Sequence, residues 1–443
     1  MRDFDKKQLA LLARDAKVLC PELRRNQFLD DATLAQLRNE RFVKMVHHAY
    51  ANVAMYRRKY DGAGVDINAI RSIDDAKHLP IIEKQDLIDN YPHDAIAKGY
   101  ELSELTTAVT GGSSGSTVTV AYSERTMRER VLTAYRIYDM MMDGYRPEHV
   151  QTYVYTGKYP LSGLTKTDYR LEHIWTLDPL DKAVATLRQS KPHMLTLYPS
   201  RLEDIRRHLT PGDVEALRER LIVINVKSEM STQDQRDEWS DFFGVPVLDE
   251  YGSEELAGTV AAQCRHGGYH IWEDIQLVEI VSPNGEVLPD GEEGDLVATC
   301  YYNWAMPIIR YRQNDIASLK PASEKCACDR NLRMLATFSG RQNSSFVLPS
   351  GRFLSSGYLL DIGYTRLMDY RTAISGWALI LETPTKAIFE CIPGRDMNEE
   401  VRAKIASQIG EFLFGELEVE VRLVDELPTT NRGKRNQIIN RTN

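Results

Sequence analysis

The chain has 443 residues, of which 42% are hydrophobic and 27% charged, with a formal net charge of -9; this is an ordinary globular composition, long enough for two or three domains. The acidic balance argues against broad affinity for nucleic acid, though not against a nucleotide site. Six cysteines are too few for a disulfide scaffold, no apolar run is long enough to span a membrane, and the charged start Met1-Arg2-Asp3-Phe4-Asp5 is unlike a secretory signal, so a cytoplasmic location with no membrane or nucleic-acid partner is expected.

Residues 6–57 read as helices. Leu9, Leu11, Leu12 and Leu19 cluster, and Phe42, Val43, Met45, Val46 and Ala49 recur at helical spacing. His47 and His48 on that stretch read as structural histidines. Gly62-Ala63-Gly64 interrupts the helices, Asp74-Asp75 starts a short one that ends before Pro80, and Lys84 to Asn90 is helical again. Residues 1–105 form a helical lead-in.

A β-prone run from Thr106 enters the stretch Thr110-Gly111-Gly112-Ser113-Ser114-Gly115-Ser116-Thr117. Its glycines let a turn close and bring backbone N–H groups near a ligand, and its hydroxyls add donors without negative charge, which suits an anion such as a nucleotide phosphate. There is no Gly-Lys-Ser/Thr, so this is not a Walker loop, and the glycine spacing is not that of a dinucleotide site. Alone, the stretch also fits a polar surface turn.

Residues 123–142 form a helix capped by Ser123, with an apolar stripe of Met127, Val131, Ala134, Ile137 and Met141. Strands are expected at 150–156, at 191–199, at the nearly unbroken apolar run Leu221 to Val226, and at Val245 to Leu248, with helices at 201–208, 213–220 and 231–243. This alternation over 106–260 predicts an α/β domain. Asp249-Glu250-Tyr251-Gly252-Ser253-Glu254-Glu255 follows directly, at the carboxyl edge where such sheets bind ligands. One of its acids can hold Mg²⁺ and Tyr251 can stack on a planar ring, or the segment is a solvated acidic turn.

Short strands at 275–280, 296–300 and 308–311 then alternate with turns at Pro283-Asn284-Gly285 and Pro289-Asp290-Gly291. Pro307 to Asp315 places Arg310, Arg312 and Asp315 at a strand end, where Asp315 can accept hydrogen bonds from ribose hydroxyls or pair with an arginine. Cys264, His270, Cys326 and Cys328 match a closed tetrahedral zinc site that clips two loops and leaves no catalytic position, with His266 as a rival to His270. Cys20, Cys300 and Cys391 read as small hydrophobes. Ser339 to Asn343 is a polar joint, followed by strands at 376–381, 387–391 and 419–424 and a helix at 398–413. Gly433-Lys434 suits a lysine that contacts phosphate or carboxylate, or belongs to a basic tail.

These residues carry a resemblance over nearly the whole length. The chain resembles the adenylate-forming superfamily, in its phenylacetate–coenzyme A ligase-like branch. Tyr56 to Gly64 with Leu79-Pro80 and Lys84 is similar to that branch's lead-in, 110–117 to its phosphate loop, Tyr251-Gly252-Ser253-Glu254 to its Tyr-Gly-x-Thr/Ser-Glu motif, Tyr311 to Asp315 to Tyr-Arg-Thr-Gly-Asp, Gly340-Arg341 to the hinge-proximal Gly-Arg, and Gly433-Lys434 to the catalytic lysine motif. Several members also carry a structural zinc where the three cysteines and His270 fall.

The resemblance implies a large α/β adenylating domain with a zinc-clipped β-rich subregion, residues 106–340 being its core, and a small mobile α+β domain at 341–443. It implies attack of a carboxylate on ATP to give an acyl-AMP, then transfer to coenzyme A. Gly112, Ser113, Ser114 and Gly115 would cradle the β/γ-phosphates, Glu254 would hold Mg²⁺, Tyr251, Gly252 and Ser253 would line the nucleotide site with Tyr251 flanking the adenine, Asp315 and Arg341 would serve the nucleotide, and Lys434 would bridge carboxylate and α-phosphate. The acid is expected to be aromatic, with Tyr153 to Tyr159 lining its pocket. An amine or a carrier-protein thiol in place of coenzyme A, a non-catalytic nucleotide-binding protein, and a homodimer stay open. The chain departs from the pattern at Ser116 and Thr117, which replace the usual loop lysine and proline, at Gln313-Asn314, which replace Thr-Gly, and at Gln342-Asn343, which replace an acidic pair.

Overall fold

The computed structural model describes residues 5–110, 117–146, 148–155, 170–429 and 434–442, with backbone only for Asn343 and Tyr364. Gly112, Ser113, Ser114, Gly115 and Ser116 of the glycine loop, the pocket stretch from Thr156 to Tyr159, and Gly433 lie outside the described residues.

The lead-in is helical: α1 (Lys6–Asn26), α2 (Asp31–Asn52), α3 (Ala54–Gly62) and α4 (Lys84–Asn90). Asp5 and Asp30 cap the first two by accepting from the N–H groups of Gln8 and Thr33. Phe42, Met45, Val46 and Ala49 are buried from α2, at the spacing that predicted a helix. His48 reaches the Trp304 carbonyl with Nε2 at 2.9 Å, a structural role. Strands β1 (Thr106–Val109) and β2 (Thr119–Tyr122) pair antiparallel. Thr110 N–H donates to the Val118 carbonyl at 2.9 Å, and Val118 N–H to Thr110 Oγ1 at 3.1 Å, closing the base of the glycine loop. Helix α5 (Glu124–Met141) follows, with Ser123 accepting from Thr126 N–H as its cap.

An 11-stranded sheet forms the centre. Its strands are β3 (Val150–Tyr155), β4 (Arg170–Trp175), β5 (Met194–Leu197), β6 (Val223–Lys227), β7 (Val247–Ser253), β8 (Gly258–Gln263), β9 (Tyr269–Ile271), β10 (Gln276–Val281), β11 (Gly294–Cys300), β12 (Tyr311–Leu319) and β13 (Met334–Arg341). They lie in the order β10-β11-β12-β13-β9-β8-β7-β6-β5-β3-β4. β4, β3, β5, β6 and β7 are parallel, and from β7 through β8 to β10 every pairing is antiparallel. Helices α6 (Leu180–Ser190), α7 (Pro199–His208), α8 (Pro211–Arg218) and α9 (Gln233–Phe243) cover one face, where Val154, Leu195, Leu197, Ile224, Val226 and Val247 pack with Leu187, Ile205, Trp239 and Phe243. The other face carries Tyr153, Met194, Val223 and Leu248 into the core shared with α5 and the lead-in helices. Burial on both faces accounts for the unbroken apolar run at 221–226.

Three expectations change. The acidic motif does not follow β7: Asp249 to Ser253 are part of the strand, with Asp249 and Glu250 buried, so a solvated turn is excluded. The strand expected at 308–311 begins instead at Tyr311, because Arg310 takes a left-handed φ of 48° that turns the chain. Arg310 and Arg312 are fasteners. Arg310 is buried against Glu279 at 3.0 Å and the Leu79 carbonyl at 2.6 Å, and Arg312 pairs with Glu83 and Asp295. The expected joint at Ser339 to Asn343 is strand as far as Arg341, where β13 still pairs with β12.

After two short strands, β14 (Phe346–Val347) and β15 (Phe353–Leu354), come α10 (Ser356–Leu360) and α11 (Ile362–Thr365). A second sheet of β16 (Ile374–Thr383), β17 (Lys386–Pro393), β18 (Glu418–Leu423) and β19 (Ile438–Asn440) has the order β18-β17-β16-β19 and packs with α12 (Glu399–Phe412). Its residues, including Phe346, Leu379, Phe389, Ile405 and Ile438, form a hydrophobic core separate from the other two. No described helix is long and apolar enough to cross a membrane.

Candidate active site

The parallel strands end together, and β7 runs on past them into the acidic motif. A Cβ at Gly252 would stand 3.1 Å from the Gly258 carbonyl oxygen, so the glycine lets β7 and β8 approach closely where their register shifts. Tyr251 projects to Asp315 on β12, donating its hydroxyl to Oδ2 at 2.6 Å, and its ring lies 4.4 Å from that of Phe338. Asn314 has φ +59°, a left-handed conformation where the related motif has glycine. Three residues, 313–315, then bulge between the β11 pairings of Arg312 and Ile316, which turns Asp315 inward. Burial raises the pKa of Asp315, against the lowering effect of Arg341 and the Tyr251 hydrogen bond. Arg341 Nε is 3.7 Å from Asp315 Oδ1. Three of the sequence-predicted nucleotide residues, Tyr251, Asp315 and Arg341, thus meet in one cluster.

Glu254 is gripped from α5. Arg130 donates to both its carboxylate oxygens, at 2.6 and 2.9 Å, and stacks over the Tyr122 ring at 5.4 Å. The Tyr122 hydroxyl donates to the Glu254 backbone carbonyl. Ser253 Oγ donates to Glu255 Oε2 at 2.9 Å. Neighbouring Glu250, fully enclosed, accepts from Asn225 at 2.7 Å and from Lys227 and Thr259 at 2.5 Å each. Burial alone would raise its pKa, but the Lys227 charge and these hydrogen bonds outweigh it and hold the carboxyl below its ordinary value.

Lys434 comes from the far end of the chain to the carboxyl ends of β5 and β6. Its Nζ donates to the Ser228 carbonyl at 3.3 Å and lies 5.6 Å from the centre of the Tyr198 ring. Arg435 N–H donates to Glu229 Oε1 at 2.8 Å, and its guanidinium pairs with Asp204 at 2.9 and 3.0 Å. Burial raises the Glu229 pKa despite hydrogen bonds from Ser200 and Arg435.

Cys264, His270, Cys326 and Cys328 converge elsewhere on the sheet, their ligand atoms all within 4.8 Å of one another. Cys264 and Cys326 sulfurs are 3.5 Å apart, and Cys328 Sγ is 3.1 Å from His270 Nε2. A Cβ at Gly268 would lie 2.6 Å from Cys326 Sγ and 2.8 Å from His270 Nε2, so only glycine lets the loop close here. His266, the rival ligand, is exposed and outside the cluster.

The sequence reading did not single out Arg130, Lys227 or Glu229. Arg130 sits seven residues after the α5 cap on an ordinary polar helix face, and only the fold brings it to Glu254. Lys227 ends an apolar strand, a position where a lone lysine is a weak but readable signal. The open grooves on the α2 surface, and between His48, Tyr100 and Trp304, contain none of these site residues.

No protein-family model matches the chain. The phenylacetate–coenzyme A ligase of Escherichia coli (strain K12) is 32% identical over 329 residues, which cover 71% of this chain and 72% of that protein. The phenylacetate–coenzyme A ligase of Aromatoleum evansii is 30% identical over 325 residues, with coverage of 71% and 72%. Among solved structures, 2-hydroxyisobutyryl-CoA ligase in its postadenylation state with 2-HIB-AMP superposes with a TM-score of 0.76 at 19% identity, covering 94% of this chain and 91% of that one. In its thioesterification state with coenzyme A, the TM-score is 0.64 at 18% identity and the same coverage. At this identity and coverage the chain belongs to the phenylacetate–coenzyme A ligase branch of the adenylate-forming superfamily and is an AMP-forming acid–coenzyme A ligase.

Proposed function

We propose that the carboxyl edge of the parallel strands is where an aromatic carboxylic acid is joined to ATP, with Lys434 as the catalytic lysine and Glu254 as the Mg²⁺ ligand. The observation that carries this reading is the meeting of Lys434 with the ends of β5 and β6, 206 or more residues away in sequence, beside the strand that bears Tyr251 and leads into Glu254. A cation at that point stabilises the negative charge that develops as the carboxylate attacks the α-phosphate and pyrophosphate leaves. The coenzyme A thiol then displaces AMP from the acyl-adenylate.

Asp315 accepts hydrogen bonds from the ribose hydroxyls, its Oδ1 facing Arg341 while Tyr251 holds Oδ2. Tyr251, Gly252 and Ser253 flank the nucleotide, and Gly112, Ser113, Ser114 and Gly115 cradle its phosphates. Glu254 fits a hard cation because its two oxygens converge on a single positive group, the Arg130 guanidinium. Mg²⁺ bound there would neutralise phosphate charge. The four Cys/His atoms fit zinc: Zn–S and Zn–N bonds of ~2.0–2.3 Å in a tetrahedron place ligand atoms roughly 3.3–3.8 Å apart, close to the 3.5 and 3.1 Å seen. That ion is structural, since all four positions are filled by protein. Residues 341–443 act as a mobile domain, and the work is done in the cytoplasm, where ATP and coenzyme A are at hand.

The aromatic preference rests on the phenylacetate ligases above and on three tyrosine rings in sequence at the strand ends: Tyr153 and Tyr155 are 5.3 Å apart, as are Tyr155 and Tyr198. The test is acid-dependent ATP–pyrophosphate exchange over a panel of aryl and aliphatic acids. Preference for aliphatic acids would overturn the aromatic assignment, and exchange that needs no acid would overturn the reaction order.

A further inference from the structure

Two buried polar atoms on the inner face of the parallel sheet have no hydrogen-bond partner among the described residues: Thr196 Oγ1 and Asn225 Oδ1. Thr196 is 2% exposed and Asn225 0%. They are register partners on β5 and β6, hence one strand spacing apart and on the same face. The Asn225 amide is oriented by chemistry. Its Nδ2 must be the group facing the Glu250 carboxylate, at 2.7 Å, because a carboxylate only accepts. That leaves Oδ1 as an acceptor pointing away from Glu250. Tyr153 is the register partner of Thr196 on the other side, and Lys227 lies one pleat beyond Asn225 on the same face.

Buried polar atoms without partners are rare in native proteins, and two adjacent ones call for a ligand that satisfies both. Their position relative to Lys434 says which end of the ligand this is. Lys434 touches the carbonyl of Ser228, which follows the last residue of β6 and lies three positions along the chain from Asn225, and at about 3.3 Å per strand residue that separation is at most about 10 Å. That is the reach of an aryl acid from its carboxylate to a hydrogen-bonding substituent on the far side of the ring.

We propose that Thr196 and Asn225 form a hydrogen-bonding subsite, and that the acid activated here carries a hydroxyl or amino group at the end opposite its carboxylate. The substituent donates to Asn225 Oδ1, and Thr196 Oγ1 is its second partner. This rests on the placement of the acid at the strand ends given above. A site built around an unpaired acceptor discriminates strongly against an analogue that lacks the donor, because the acceptor is then left dry and unpaired.

The experiment is ATP–pyrophosphate exchange on the full chain with matched acids: benzoic and phenylacetic acids, their para-hydroxy and para-amino derivatives, and aliphatic acids with and without a terminal hydroxyl. The expected result is a preference in kcat/KM of about tenfold or more for the hydroxy or amino member of each aryl pair. The preference ratio should fall towards one in Asn225→Leu and in Thr196→Val. Thr196→Val preserves shape and leaves the Glu250 network intact, so it separates a lost subsite from a failure to fold. A wild-type ratio near one, or a ratio that survives both substitutions, overturns the proposal. A preference for hydroxylated aliphatic acids over all aryl acids would keep the subsite and overturn the aromatic reading, so the two fail separately.

Discussion

Replacing Arg130 with methionine isolates the grip on Glu254. Methionine keeps much of the length and the packing over Tyr122 but removes the charge. The pair is bidentate, at 2.6 and 2.9 Å, and its side chains are 17% and 23% exposed. Exposed pairs contribute about 0.2–1 kcal/mol, and breaking a fully buried one costs about 3–5 kcal/mol. A pair at this depth falls between, at about 1–3 kcal/mol. If Glu254 is the Mg²⁺ ligand, the metal must take carboxylate oxygens from Arg130, so the cost of freeing them is subtracted from metal affinity. At about 1.4 kcal/mol per tenfold, Arg130→Met should lower the half-saturating Mg²⁺ concentration about 5- to 100-fold. The assay is pyrophosphate exchange titrated with Mg²⁺ at fixed free ATP, alongside a thermal melt. A lower melting temperature with an unchanged or higher Mg²⁺ requirement would refute the argument and leave Arg130 a structural residue.

Lys434→Ala should reduce adenylate formation by about 10²-fold or more, the scale of a lost transition-state contact. Release of AMP from preformed acyl-adenylate with coenzyme A should change far less, and equal losses in both assays would argue against a lysine specific to the first step. Protein purified without added metal should hold about one zinc per chain by elemental analysis, and Cys326→Ala should impair stability more than chemistry; a stable metal-free protein would count against the site. Gly340→Ala should destabilise by about 2–4 kcal/mol through overpacking and a left-handed backbone, since φ is +82° and its Cβ would lie 2.0 Å from Met230 Sδ and 2.3 Å from Ser356 Oγ. Adding Met230→Ala should restore part of the loss in a thermal melt, and a wild-type melting temperature for the single variant would exclude the clash.

The sheet was most legible where burial on both faces writes itself into the chain, as at Leu221 to Val226. The edge strand β4 was not, because Arg170, Glu172 and Trp175 leave it only two fully buried positions. Motif reading found Tyr251, Asp315 and Arg341 in three separate segments, and the fold joins them. It did not find that the same acidic segment is buried strand, because alternation in Asp249-Glu250-Tyr251 is hidden by acids whose partners are found only in space, Lys227 pairing with Glu250 and the Tyr269 hydroxyl donating to Asp249. Arg310 shows the converse: five residues before Asp315, its guanidinium is spent on Glu279 and the Leu79 carbonyl, partners that only the fold supplies. The convergence of Cys264, His270, Cys326 and Cys328 was readable from their spacing, and the exposure of His266 agrees with the choice of His270.

The distribution of ion pairs shows where the molecule can part. The large sheet and α5 are tied together by pairs with almost no solvent access: Arg310, just before β12, with Glu279 on β10 at 2% and 8% exposure, and Arg136 on α5 with Asp274 just before β10 at 1% and 0%. Separating either would strand a buried charge at a cost of about 3–5 kcal/mol. Residues beyond 341 meet the large sheet differently. Arg435 with Asp204, Arg371 with Glu238, and Arg207 with the Ser375 carbonyl are all partly exposed contacts of the kind worth about 0.2–1 kcal/mol each, and the apolar core on that side is its own, with Met230 packed against it. The contacts between the large sheet and the second sheet are therefore the weaker set, and a Cβ at Gly340 would meet Met230 and Ser356 there. Lys434 lies beyond Arg341 in the chain and reaches the strand ends, with its Nζ 3.3 Å from the Ser228 carbonyl and over the face of Tyr198. If residues 341–443 move as proposed, Lys434 would serve adenylation in the closed arrangement and leave with its domain before the thiol arrives.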